Sequence, residues 1–193
     1  MKIIKLLAFV TVTLLAMSGT SNANIDLLSS DDLVGISFWV TSMGLLAATA
    51  FFFLERRSVV SNWRTTLTLA GIITGVAFIN YLYVRNIYVS QGEASTLYRY
   101  IDWIITMPLQ MIQFYLILAA VRKVPKSLFW KLLTGTVVMV LAAYLGASEN
   151  IPSMVGFIIS IGGWIYILYE IFSGEAGRTV AKIGNKPMVN AYV

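Results

Sequence analysis

The chain has 193 residues, of which 58% are hydrophobic and only 12% are charged, and its mean hydropathy is +0.78. A soluble domain of this length rarely carries so few charges, so we predict a single all-α membrane domain. The chain has neither cysteine nor histidine. It therefore has no disulfide, no thiolate metal site and no imidazole ligand or neutral-pH acid–base group, and we predict no metal site.

Residues 1–23 have the pattern of a secretory signal peptide. Lys2 and Lys5 give a positive start, residues 6–17 form an apolar segment, and Ser21-Asn22-Ala23 is a small-residue cleavage site. The alternative is an uncleaved extra helix, but the apolar segment is short for a membrane span. We therefore predict that the segment is cleaved.

Five apolar spans follow, and at about 1.5 Å per residue each crosses most or all of a hydrocarbon core of about 30 Å. They cover residues 33–54, 65–84, 100–121, 132–148 and 151–169. Because the links are short, neighbouring spans should pack antiparallel. We predict a signal peptide, a bundle of five transmembrane helices and a cytoplasmic segment, at residues 1–23, 24–173 and 174–193 respectively.

The charged residues between the spans predict an orientation. Basic residues fall in the link between spans one and two, in the link between spans three and four, and after span five: Arg56, Arg57, Arg64, Arg122, Lys123, Lys126, Lys131, Arg178, Lys182 and Lys186. The opposite side carries most of the acids: Asp26, Asp31, Asp32, Glu93 and Glu149. The positive-inside rule places the N-terminus outside the inner (plasma) membrane and the C-terminus in the cytoplasm. The basic pI near 9.5 therefore reflects topology and predicts no nucleic-acid partner.

The third span carries a row of polar side chains. Steps of three, four, four and three residues stack them along one side of a helix: Arg99, Asp102, Thr106, Gln110 and Gln113. Asp102 is the only acid in the five spans, and an ionisable residue inside a membrane is a functional hypothesis by default. Arg99 lies one turn away, close enough for a charge interaction. The row predicts an ion or proton pathway or the counter-charge of a buried cation. Its alternatives are a helix-end ion pair and interhelical hydrogen bonds from the glutamines.

The segment RYIDWIITMPLQ at residues 99–110 closely resembles the third helix of proteorhodopsins, a group of microbial retinal proteins. Further segments resemble the first, second, third and fifth helices of that family: GISFW at 35–39, FFFLE at 51–55, TGVAF at 74–78, FYLILAA at 114–120 and YILYEIFSGE at 166–175. The resemblance implies a seven-helix microbial rhodopsin bundle around all-trans-retinal, which is bound as a protonated Schiff base to a lysine of the seventh helix. It also implies a light-driven outward proton pump rather than an enzyme, acting in the lipid bilayer as a homo-oligomer.

The resemblance implies roles near the chromophore for residues of spans two, three and five. Asp102 corresponds to the counterion and first proton acceptor, and Gln110 to the colour-tuning position, where Gln accompanies blue absorption. Arg99 and Tyr81 correspond to residues on the proton-release side of the acceptor. Four residues correspond to the retinal pocket: Trp103, Thr106, Trp164 and Tyr166.

Three features depart from the family pattern. The chain ends about where the sixth helix should begin, and Lys131 lies at the inner end of span four in a snorkelling position, so we expect a chain that lacks the Schiff-base lysine. Gln113 stands at the usual position of the proton donor and cannot donate a proton, which leaves a slow pump and a light sensor open. Asn80 stands where many members have a His paired with the counterion. A five-helix scaffold or subunit without a chromophore is the alternative function.

Overall fold

A computed structural model of the chain describes residues 32–91 and 96–181, and it contains six helices. They are α1 (Leu33–Glu55), α2 (Ser61–Gln91), α3 (Thr96–Val121), α4 (Lys126–Ala147), α5 (Ser153–Phe172) and α6 (Glu175–Ala181). Five candidate spans are long and apolar enough to cross a membrane, which confirms the predicted all-α membrane class. The predicted signal peptide at 1–23 and the end of the predicted cytoplasmic segment after residue 181 lie outside the described residues, as do several charges of the topology argument: Asp26, Asp31, Glu93, Lys182 and Lys186.

Local chemistry fixes where several helices begin. The Asp32 carboxylate caps α1 by accepting a hydrogen bond of 2.8 Å from the Gly35 amide. Pro125 and Pro152 immediately precede α4 and α5 in extended conformations, where a residue without an amide hydrogen costs the helix no bond. The helices α2 and α4 begin at Ser61 and Lys126, earlier than the predicted 65 and 132. The predicted limits were too narrow because hydropathy detects the apolar part of a helix and misses its polar ends.

Helices α4 and α5 pack with their backbones in near contact. A methyl group added at Gly156 would lie 2.7 Å from the Gly146 Cα atom and 2.8 Å from the Ala142 carbonyl oxygen. In a membrane, helices gain little from the hydrophobic effect and associate largely through van der Waals packing, which small residues allow at short range. The glycines therefore set the close approach of α4 and α5.

A polar contact and a glycine contact join α1 to α2. The hydroxyl groups of Thr49 and Thr74 are hydrogen-bonded at 2.8 Å, and the ring of Phe53 covers Gly71. Along the bundle, each long helix packs chiefly against its neighbours in the chain. This order places α3 between α2 and α4, so α3 can contribute side chains to cavities on both of its sides.

The short helix α6 follows α5 after a break of two residues, Ser173 and Gly174, and packs on the bundle. Its Ala176 and Val180 are buried in one hydrophobic cluster with residues of α3, α4 and α5: Leu118, Leu128, Leu132 and Ile167. The sequence predicted only a cytoplasmic segment from residue 174, so this docked helix is an addition to the prediction. It lies at the end of the bundle formed by the end of α3 and the start of α4, which we call the α3–α4 end.

Candidate functional site

A cavity of about 230 Å³ lies between α1, α2 and α3. Five of its lining residues are predicted site residues: Asn80, Tyr81, Arg99, Asp102 and Trp103. The structure therefore brings together residues of α2 and α3 that are 18 or more positions apart in the chain. Phe38 and Val84, which also line the cavity, were not recognised from the sequence, because apolar residues in apolar helices do not stand out.

Asp102 is the least satisfied polar group of this cavity. Asp102 is only 8% exposed, and its Oδ1 atom accepts no hydrogen bond from any residue in the described part of the chain. A buried polar atom without a partner costs roughly 1–3 kcal/mol, and more when the group is charged. This carboxylate oxygen therefore has an open position for a cationic group, a proton donor or water.

Arg99 does not fill that position. It lines the same cavity as Asp102, but the ion pairs within 4.0 Å among the described residues do not include it. The predicted one-turn spacing is correct, yet the expected charge interaction is not formed as an ion pair. Arg99 is exposed, and solvation of its guanidinium group competes with pairing.

The remaining polar residues of the α3 row separate into buried and exposed groups. Thr106 is 4% exposed and donates a hydrogen bond of 2.9 Å to the Asp102 carbonyl oxygen one turn earlier, a contact that often bends helices. Gln113 is half-buried and Gln110 is exposed. None of these three lines either of the two cavities described here. The row therefore faces one continuous cavity only at its Arg99–Asp102 end.

A second, larger cavity of about 430 Å³ lies between α3, α4 and α5. Its walls are mostly apolar, with two tryptophans and three methionines: Trp103, Trp164, Met107, Met111 and Met139. Trp103 lines both cavities, so the larger apolar space and the cavity of the Asp102 carboxylate share a lining residue. An apolar chamber thus lies next to the cavity of a buried acid.

The predicted pocket residues do not all line this cavity. Trp103 and Trp164 do, whereas Thr106 and Tyr166 do not. The ring of Tyr166 lies against Gly135 of α4, 3.0 Å from the place where a side-chain carbon would stand. Sequence reasoning also missed the α4 wall, which includes Thr136, because no charge or motif marks it.

A second buried acid lies at the α3–α4 end. Glu170 is 5% exposed, and its Oε1 atom is 3.1 Å from the Lys131 Nζ atom. Asp102 is the only acid within the predicted limits of the spans, but α1 and α5 continue past the predicted ends at 54 and 169, so these helices also contain Glu55 and Glu170. Lys131 is not merely snorkelling, since its ammonium group is held in ion pairs.

Comparison with known proteins identifies the class of protein. The model of the bacteriorhodopsin-like protein family matches residues 32–192. The chain therefore belongs to this family of microbial rhodopsins, which are retinal-binding membrane proteins that act as pumps and sensors rather than enzymes. The predicted resemblance is confirmed by this match, and so is the prediction that the chain is not an enzyme.

Within the family the similarity is to proteorhodopsins. The chain is 46% identical over 165 residues to the blue-light absorbing proteorhodopsin of Gamma-proteobacterium Hot 75m4, covering 86% of this chain and 65% of that protein. It is 42% identical to the green-light absorbing proteorhodopsin of Gamma-proteobacterium EBAC31A08, covering 86% of this chain and 66% of that protein. The chain thus spans just under two thirds of the length of these curated relatives.

Solved structures agree with this assignment. The crystal structure of the blue light-absorbing proteorhodopsin from Med12 matches with a TM-score of 0.66 and 46% identity, over 79% of this chain and 72% of that one. The Exiguobacterium sibiricum rhodopsin matches with a TM-score of 0.67 and 31% identity, over 82% of this chain and 70% of that one. The helices described above are thus arranged as in microbial rhodopsins.

Proposed function

We propose that this chain forms part of a retinal-binding photoreceptor that moves protons outward in the light, with light sensing as the variant that Gln113 favours. The observation that carries the proposal is the buried Asp102 carboxylate, whose Oδ1 atom has no partner in the described structure and whose cavity shares the lining residue Trp103 with an apolar cavity. A buried acid without a partner is costly, and ionisable residues inside membrane spans therefore usually mark an ion or proton pathway.

The larger cavity suits an apolar ligand such as all-trans-retinal. Its volume of about 430 Å³ is within the range of roughly 300–1,000 Å³ typical of small-molecule sites. Trp103 and Trp164 would hold the polyene between aromatic faces, and the methionines would fill the irregular gaps. When bound, retinal would supply the absorption of light and a cationic group that carries a proton. The lining residues include no lysine, so this cavity alone does not supply the covalent link.

Four residues of the smaller cavity then have a part in moving the proton. Asp102 would hold a negative charge beside the cationic group and accept its proton. Arg99, Tyr81 and Asn80 line the same cavity, and we assign Arg99 and Tyr81 to proton release and Asn80 to the position beside the counterion. The basic loops support an orientation with the N-terminus outside the cell membrane, so release on the Arg99 side would be outward.

The two glutamines of α3 bear on whether the protein is a pump or a sensor and on the colour of light that it absorbs. The half-buried Gln113 would leave reprotonation to water, which favours a slow pump or a sensor. Gln110 would tune absorption towards the blue. Thr106 and Tyr166 are assigned to the retinal pocket by the family resemblance alone. A cleaved signal peptide at 1–23 and a homo-oligomer in the bilayer complete the proposal.

The test uses the complete reading frame that contains this chain, expressed in bacterial cells supplied with all-trans-retinal. We expect a visible absorption band that hydroxylamine bleaches, and acidification of the medium in the light. Asp102→Asn should abolish acidification and shift the band to longer wavelength, because the negative charge that stabilises the cationic ground state is lost. Glu149→Gln removes an exposed acid outside both cavities and should leave both signals unchanged.

Two results would count against the proposal. A protein that folds in the membrane but forms no band with retinal would favour a scaffold or subunit without a chromophore. A normal band with undiminished acidification in Asp102→Asn would remove Asp102 from the role of proton acceptor.

A further inference from the structure

Four polar residues at the α3–α4 end form one connected cluster, which we call the ionic clasp: Ser127, Lys131, Glu170 and Glu175. The Lys131 Nζ atom lies 3.1 Å from the Glu170 Oε1 atom and 3.5 Å from the Glu175 Oε1 atom. The Ser127 hydroxyl donates to the Glu175 carboxylate at 2.9 Å. Two residues of α4 are thereby joined to the end of α5 and the start of α6.

Both carboxylate oxygens of Glu170, the most buried residue of the ionic clasp, have partners. The Oε2 atom of Glu170 accepts a hydrogen bond of 3.2 Å from the Glu175 amide, while its Oε1 atom is paired with Lys131. A side chain at Gly174 would collide with the same carboxylate, so the turn from α5 into α6 is built around it. Removing Lys131 would leave a buried, partly unpaired charge, which is strongly unfavourable.

Beneath the ionic clasp, α6 packs on residues that also line the larger cavity. Ala176 and Val180 are 0% and 6% exposed and share a hydrophobic cluster with Ile167, which also lines the cavity. Three half-buried residues have the same double role, packing on this cluster and lining the cavity: Met111, Met139 and Ile171. A single layer of side chains thus separates α6 from the cavity.

We propose that α6 is a plug that closes the α3–α4 end of the larger cavity, and that the ionic clasp keeps the plug in place. The described part of α6 meets the bundle through two buried apolar residues and the ionic clasp, so its position depends on these contacts. Ala176 and Val180 offer a small apolar area, and the ionic clasp supplies the directional contacts. Loss of the clasp should therefore release α6 and admit water to the end of the cavity.

The test exploits the absence of cysteine from the chain. Val180→Cys introduces one buried thiol in α6, and its rate of reaction with a water-soluble maleimide reports how often α6 is displaced. We expect Lys131→Met to accelerate this labelling about tenfold. This is the effect expected for breaking an ion pair between a half-exposed lysine and a buried glutamate. Lys126→Met is the matched control, since Lys126 is an exposed residue of the same helix with no ion pair in the described structure. It should leave the rate unchanged.

A conservative variant and a second measurement separate release of α6 from general unfolding. Lys131→Arg keeps the charge and should keep labelling slow, whereas Glu175→Gln should accelerate it about twofold to threefold, as expected for loss of a more exposed charge pair. Hydrogen exchange in the chain without the cysteine should show faster exchange at residues 178–181 in Lys131→Met, with α1 and α2 unchanged. Equal labelling rates in Lys131→Met and Lys126→Met, together with unchanged exchange in α6, would overturn the proposal.

Discussion

The contact between α4 and α5 gives a quantitative prediction for one substitution, Gly156→Ala. The added methyl group would stand 2.7 Å from the Gly146 Cα atom, about 0.8 Å inside the shortest comfortable carbon–carbon distance of roughly 3.5 Å. The other near atoms, the Ala142 oxygen at 2.8 Å and the Gly146 nitrogen at 3.0 Å, also belong to the backbone. Because no rotamer change relieves these contacts, α4 and α5 must separate.

The size of the effect follows from a comparison within the same helix. Gly162 has open space where a methyl group would be placed, so Gly162→Ala adds no collision. Both variants gain the same intrinsic helix preference of Ala over Gly, about 1 kcal/mol in water. The difference in unfolding free energy between them therefore isolates the overpacking cost, which we expect to be roughly 1–3 kcal/mol.

The assay is equilibrium unfolding of the purified chain in mixed micelles, with helix content followed by circular dichroism as sodium dodecyl sulfate increases. Gly162→Ala should be as stable as the parent chain or more stable, and Gly156→Ala should be less stable than Gly162→Ala by the stated amount. Equal stability of the two alanine variants would show that α4 and α5 do not approach as closely as described, and the argument from close packing would fail.

Two further predictions concern α3 and the contact between α1 and α2. Gln110→Leu in the retinal-loaded complete protein should shift the absorption maximum towards the green, while Gln113→Leu, one turn away, should not. Absorption spectra of the two variants, compared with the parent protein, test the colour-tuning role of Gln110. Thr49→Val should lower the unfolding free energy by about 0.6 kcal/mol, the average for interhelical hydrogen bonds in membranes, because it removes the bond to Thr74. Thr68→Val removes a hydroxyl bonded only within its own helix and should cost less in the same unfolding assay, and an equal loss would contradict the interhelical role.

The sequence predicted the five spans and part of the site because both depend on strong local signals. Long apolar segments exist for no common reason other than burial in a membrane, and Asp102 stands out within one of them. Helix ends were missed because hydropathy falls at the first charge, so Glu170 marked the predicted end of span five although the helix continues to Phe172. For the same reason neither the ionic clasp nor α6 was predicted from the sequence.

Contacts between helices were the second kind of feature that could not be predicted from the sequence. Spacing placed Arg99 and Asp102 on one side of α3, which is correct, but whether two charges pair depends on the water and side chains around them. The α4 wall of the larger cavity, including Thr136 and Met139, could not be recognised, since an apolar side chain facing a cavity looks the same in sequence as one facing lipid.

The two buried carboxylates of the described structure indicate which of them performs chemistry. Glu170 has both oxygens engaged, one by Lys131 and one by the Glu175 amide, so moving a proton onto it would break contacts that hold α6. Asp102 leaves its Oδ1 atom without a partner beside a cavity, so a proton added there breaks no hydrogen bond of that atom. A group that must gain and lose a proton repeatedly has to tolerate both states without unfolding its surroundings. On that criterion Asp102 is suited to proton transfer, and Glu170 is suited to holding the α3–α4 end together.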